Sequence, residues 1–124
     1  MSQVITPLKI VAKLWGAEEW LHNDQDYCIK YLNIEPGWKC SKHYHPHKKE
    51  TFVVVQGRCI VSVNDELYDA KMGDQFEIAP KTVHWFGVPE DEKDCCTLLE
   101  VSTFHDDTDV VRLVESGKFM DAKV

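Results

Sequence analysis

The sequence predicts an all-β domain, a sandwich or small barrel. Three observations carry this: short β-prone runs recur along the chain, turn residues separate them at near-regular spacing, and no stretch of the core holds a helical period. "DYCIKYLNI" (26–34) is rich in aromatic and aliphatic residues and stops at Glu35-Pro36-Gly37. "ETFVVVQG" (50–57) is strongly β-prone and "RCIVSV" (58–63) follows at once, so Gln56-Gly57 reads as a tight hairpin. Asn64-Asp65-Glu66 makes the next turn, "LYDAK" runs on to Met72-Gly73-Asp74, and "QFEIA" (75–79) is a short strand. Pro80-Lys81 turns the chain into "VHWFGV" (83–88), "PEDEKD" (89–94) is a charged loop, and "CCTLLEVSTF" (95–104) is the last long strand. "WGAEEWLHN" (15–23) fits a helical turn or an extended arm, and the segment after His105 reads as a closing arm or frayed end.

Length and composition set the limits. The chain has 124 residues, which suits one domain with one core, here expected as an N-terminal arm (1–25), a barrel core (26–104) and a C-terminal tail (105–124). Hydrophobic residues make up 44% and charged residues 28%, the balance of an ordinary globule. A formal net charge of −7 argues against nucleic acid or an anionic membrane surface as the main partner, because both demand clustered positive charge. Lys42, Lys48 and Lys49 form a small basic group that suits either a solvated turn or attraction of an anionic small molecule. The start of the chain has no signal-peptide pattern, and no run approaches the roughly 20 apolar residues that span a bilayer. The five cysteines (Cys28, Cys40, Cys59, Cys95 and Cys96) show no C-x-x-C pattern, which points to reduced, mostly buried thiols in a cytoplasmic protein.

The densest chemistry lies in "CSKHYHPHKKE" (40–50). Alternate residues of a strand share a face, so His43 and His45 point the same way, roughly 7 Å apart along the strand. Glu50 opens the next strand beyond the turn at Pro46-His47 and can fold back to the same spot. His84, just after a proline turn and inside an aromatic stretch, is the best candidate for a fourth ligand. Imidazole plus carboxylate suits one divalent ion of zinc, iron, manganese, nickel or cobalt, and the lack of thiolates argues against a purely structural zinc. The alternative is that His43, His45 and His47 are exposed turn residues and His84 is a satisfied core histidine.

The spacing decides between these readings. Gly37, five residues, His43, one residue, His45, four residues, Glu50, six residues, Gly57 fills every position of the first cupin motif. Gly73 and His84, eleven positions apart, match the glycine and histidine of the second. That motif departs from the usual pattern at Ala79, Lys81 and Val88, which touches turn geometry and not the ligand. The chain therefore resembles a single-domain cupin. The resemblance implies a double-stranded β-helix, or jelly-roll barrel, with one divalent metal near its mouth on His43, His45, Glu50 and His84. His47 lies off the pattern and reads as a rim residue, and His22 and His105 lie outside both motifs and default to surface roles.

Two further stretches narrow the resemblance. "KLWGAEEWLHN" with "YCIKYLNIEPG", and "EVSTFHDDTDVVRLVESGK", resemble the opening and closing segments of sugar-isomerase cupins of the phosphomannose isomerase-like and lyxose isomerase-like groups. Phe104 departs from the histidine pair often found there. The implied activity is aldose–ketose isomerisation of a small sugar or sugar phosphate, and the implied assembly is a homodimer through the outer sheets. Such chemistry needs a proton carrier besides the metal ligands. Glu100 is the first candidate, Lys30 the second and Glu77 a weaker third; for each the alternative is a solvated sheet face. Trp15 and Trp20 are suited to covering the mouth and stacking on a sugar, or to packing on the barrel, and Arg112 to binding a phosphate or carboxylate, or to solvent. The same ligands would also serve a cupin dioxygenase or a sugar-binding cupin without turnover.

Overall fold

The computed structural model describes residues 8–119, all of whose regular elements are strands. They are β1 (Lys9–Lys13), β2 (Gly16–Asn23), β3 (Cys28–Ile34), β4 (Trp38–Lys39), β5 (Lys42–Tyr44), β6 (Glu50–Gln56), β7 (Arg58–Val63), β8 (Glu66–Lys71), β9 (Gln75–Ile78), β10 (His84–Val88), β11 (Cys96–Ser102), β12 (Val111–Val114) and β13 (Gly117–Lys118). Every pairing between them is antiparallel.

Two sheets face each other. The first has the order β1-β2-β3-β11-β6-β9. In the second, β10 is central, with β7 and then β8 on one side and β5 and β4 on the other, and β12 and β13 close the far edge. Strict alternation in β3, β6 and β11 sends one set of side chains inward. Leu32, Ile34, Phe52, Val54, Leu98 and Cys96 from the first sheet meet Cys59, Val61, Phe86 and Val88 from the second. Burying each such large apolar side chain contributes about 1.5–3 kcal/mol. The result is the jelly-roll barrel that the resemblance implies.

Three expectations change. Gln56-Gly57 is not a hairpin: β6 pairs with β11 and β9, while β7 pairs with β10 and β8, so the glycine carries the chain from one sheet to the other. Local β-propensity cannot distinguish a hairpin from a crossing, because both need a break between two strands. "WGAEEWLHN" is strand, its residues 16–23 pairing with β3, so much of the expected arm is part of the first sheet. Residues 111–118 of the expected tail add strands to the second sheet, so the barrel extends beyond 26–104 on both sides. The remainder of these segments, 1–7 and 120–124, lies outside the described residues. The turn at Asn64-Asp65 is a true hairpin, both residues taking positive φ (51° and 67°) as its handedness demands.

Gly57 shows why the crossing needs glycine. Its φ is +76°, and a Cβ built there would sit 2.5 Å from the Cys95 carbonyl oxygen. Gly57→Ala should therefore destabilise the barrel by about 2 kcal/mol or more, read as a lowered urea midpoint with an unchanged slope; a midpoint equal to wild type would contradict the crossing geometry.

Candidate metal centre

Three histidines converge at one end of the barrel. His43 lies on β5 and His84 opens β10, directly opposite it in register. His45 follows β5, two residues on, and faces the same way. One ring nitrogen from each can be chosen such that all lie within 4.8 Å of one another. His45 and His84 are buried and His43 is half-buried.

The backbone fixes which nitrogen faces inward. His43 Nδ1 lies 2.7 Å from the Ser41 carbonyl oxygen, His45 Nδ1 2.7 Å from that of Asp109, and His84 Nδ1 2.9 Å from that of Thr82. A carbonyl only accepts, so each Nδ1 carries the proton and each Nε2 presents a lone pair to the centre. Burial, and then the neighbouring His84, push the His43 imidazole down to about 3, and burial also lowers His45. Both rings are therefore neutral near pH 7, the form that binds a metal.

Glu50 completes the group. It is 2% exposed, and its Oε1 stands 3.5 Å from His45 Nε2 and 3.3 Å from His84 Nε2. Neither Glu50 Oε1 nor His84 Nε2 makes a hydrogen bond with any described residue. Buried polar atoms are rarely left so. Two inward-facing orphans beside two more imidazoles are the donor set a divalent ion satisfies, and nitrogen with oxygen and no sulfur suits zinc, iron, manganese, nickel or cobalt. Outward hydrogen bonds from all three rings supply the support that metal-binding histidines ordinarily have.

A second cluster adjoins the first. Lys48, expected as a turn lysine, is 3% exposed. Its ammonium lies 3.3 Å from Glu50 Oε2, 3.1 Å from Glu100 Oε2 and 3.0 Å from His105 Nδ1, so three donors meet three acceptors. Burial alone would make Lys48 a weaker base, but Glu100 and Glu50 outweigh it and hold the ammonium protonated. Burial raises and contacts with His84 and Lys48 lower the Glu50 carboxyl; the contacts win, and it stays ionised. Ser102 Oγ lies 3.0 Å from Glu100 Oε2, and His105 Nε2 bonds Asp107 at 2.8 Å.

Glu100 and Lys30 both face this space. They are cross-strand neighbours on β11 and β3, buried to 3% and 1% exposure. Lys30 Nζ lies 3.4 Å from Glu18 Oε1 and 4.1 Å from the centre of the Trp20 ring. Together with the histidines, Glu50, Lys48 and His105 they line a cavity of about 160 Å³. Glu77, the third sequence candidate, is exposed and pairs with Thr51 on the outward face of the first sheet, so it takes no part. His105 corrects its expected surface role: it sits in the cavity wall with its ring edge against Trp20. His22 lies outside the cavity, stacked on Tyr27 at 4.0 Å, and His47 is exposed. Trp15 is in the core against Phe86, while Trp20 packs on Lys9, Lys30 and His105. Asp109, like Lys48 and His105, has a role that the sequence pattern does not show. Its carboxylate accepts from the backbone N–H of His47 and Lys48 at 2.9 Å each, while its carbonyl holds His45.

Residues 30–102 match the family model described as a cupin domain. This chain belongs to the cupin family. Among curated relatives, the cupin is 22% identical to the mannose-1-phosphate guanylyltransferase of Salmonella muenchen over 90% of its own length but 24% of that protein's. It therefore spans about a quarter of the length of the guanylyltransferase it matches. It is 27% identical to the D-lyxose/D-mannose isomerase of Thermosediminibacter oceani, covering 82% of this chain and 66% of that one. Among solved structures, oxalate decarboxylase from Bacillus subtilis superposes with a TM-score of 0.74 at 14% identity, over 86% of this chain and 30% of that one, a likeness of fold.

His84→Ala and His43→Ala should each lose most of the bound metal, measured by elemental analysis after dialysis against the ion, while circular dichroism keeps its β signature. His47→Ala should retain it. Full retention in the first two variants, or loss in the third, would contradict the assignment.

Proposed function

We propose that this cupin is a metal-dependent isomerase of a small sugar or sugar phosphate, interconverting an aldose and a ketose. The observation that carries the reading is the juxtaposition of the convergent His43–His45–His84–Glu50 donor set with a buried carboxylate, Glu100, and two buried ammonium groups in one small cavity. A divalent ion held by those four residues supplies Lewis-acid stabilisation for negative charge on adjacent sugar oxygens. The protein's own part is proton management. Glu100 accepts the proton that leaves C2 of the open-chain sugar and returns it to C1, while a hydroxyl proton passes from O2 to O1, so nothing is gained or lost overall. Lys48 offsets one of the two charges of Glu50 and Glu100 and fixes the Glu100 carboxylate through a bond of 3.1 Å. Lys30, opposite Glu100, offers a hydrogen bond to a substrate oxygen.

A binding protein without turnover would gain weight if neither Glu100 nor Lys30 reached the cavity, and both line it. Relatives whose names refer to mannose or lyxose support a sugar as the ligand class. Unpaired thiols at all five cysteines support a reducing, cytoplasmic setting, and no helix among the described residues is long and apolar enough to cross a membrane. The outward face of the first sheet, with Ile10, Val55 and Val101 exposed, supports a homodimer.

The test is NMR of the metal-loaded protein in D₂O with a panel of aldoses and their 6-phosphates. Deuterium should enter at C2 as ketose appears. Glu100→Gln should keep its metal and lose about a hundredfold or more in rate. Absence of exchange and of ketose across the panel would overturn the isomerase reading, and an unchanged rate in Glu100→Gln would remove that residue from the proton transfer.

A further inference from the structure

The cavity mouth carries an arginine that nothing in the metal site or the proton transfer employs. Arg112 lies on β12, directly opposite His43 on β5. Residues opposite each other in an antiparallel pair project from the same face, their Cβ atoms about 4.5–5.5 Å apart. Arg112 therefore projects toward the cavity beside the His43 imidazole and lines it, while remaining exposed. It makes no ion pair with any described residue.

The charges around it do not cancel once an ion is bound. Lys13 and Lys30 share the single carboxylate of Glu18, at 3.9 and 3.4 Å. Asp107 is engaged by His105, whose ring is lowered by burial and by Lys48 and Lys30, and so is neutral. Deeper in, Lys48 offsets one of the two charges of Glu50 and Glu100. Four cations (Lys13, Lys30, Lys48 and Arg112) thus face four carboxylates (Glu18, Glu50, Glu100 and Asp107) in the lining, and a divalent ion leaves the loaded cavity positive. This occurs in a chain of formal net charge −7. A positive pocket in an acidic protein selects an anion.

We propose that the substrate is an anionic sugar whose carboxylate or phosphate, at the end of the chain remote from the reacting carbons, is held by Arg112 with Lys13 contributing field at the rim. The inference rests on the isomerase reading for which carbons react, but the anion preference is a binding property. The planar guanidinium fork suits either oxyanion, since it matches two oxygens at once. No helix N-terminus exists among the described residues to cradle a phosphate, so the recognition falls on side chains.

Calorimetric titration of the metal-loaded protein separates this from the reaction itself. The probes are glucose, mannose and galactose, their 6-phosphates, and the three matching uronates, each titrated into wild type, Arg112→Gln and Arg112→Lys with metal content and unfolding midpoint checked. At least one anionic sugar should bind about tenfold or more tightly than its neutral parent, Arg112→Gln should remove most of that preference, and Arg112→Lys should restore part of it. Whether the uronate or the phosphate series shows the preference identifies the anion. Equal affinity for neutral and anionic probes, binding by none of the set, or a preference untouched in Arg112→Gln would overturn the proposal. An anion preference without deuterium exchange at C2 would leave it standing while the isomerase reading fell.

Discussion

Two carboxylates buried beside one ammonium govern the working end of this barrel. Glu50 and Glu100 are 2% and 3% exposed and both contact Lys48. An unpaired charge at such depth would cost several kcal/mol, so the Lys48 side chain has to reach inward from its turn. That turn is itself fixed by Asp109, which caps the Lys48 and His47 amides and holds His45 through its carbonyl. The segment leading into β12 therefore sets the position of both the imidazole and the ammonium. Breaking the pair by removing one partner leaves a buried charge behind, which makes this cluster sensitive to single substitutions.

The same constraint explains how one fold holds a core and a site together. Along the inward faces of β3, β6 and β11, a charged side chain lies toward one end and large apolar ones toward the other. Glu50 precedes Phe52 and Val54; Lys30 precedes Leu32 and Ile34; Glu100 follows Cys96 and Leu98. Antiparallel register then gathers the polar ends at one mouth: Glu100 stands opposite Lys30 on one side and Phe52 on the other, and Ser102 opposite Glu50. The second sheet adds His43 and His84 from paired positions at that end. The apolar ends fill the barrel below, and the core residues Leu32, Phe52 and Phe86 line the cavity from that side.

Much of this was legible in the chain. The spacing from Gly37 to Gly57 and from Gly73 to His84 carries the resemblance to cupins, and that resemblance implies both the barrel and the convergence of His43, His45, Glu50 and His84. Strand alternation is enough to leave Glu100 and Lys30 as candidates, because their neighbours on the strand face the other way. What escaped depends on contacts between distant segments. Lys48 sits in a polar turn, where lysine is ordinarily solvated, and its buried place depends on Glu100 and His105, fifty-two and fifty-seven positions away. His105 and Asp109 follow the last long strand and acquire their roles by folding back on the histidine turn. Gly57 reads as a hairpin until the pairing of its two strands with different partners is known. Glu77, the weaker candidate beside Glu100, shares its mid-strand pattern, and the register places it on the outer face.

Three imidazoles, each tied outward through Nδ1, should present Nε2 to one ion together with Glu50. X-ray absorption at the edge of the bound metal tests this most directly, because it counts and identifies the coordinating atoms without reference to turnover. Scattering from three imidazoles and at least one oxygen, with no sulfur, is expected. A sulfur shell, or fewer than two imidazoles, would contradict it.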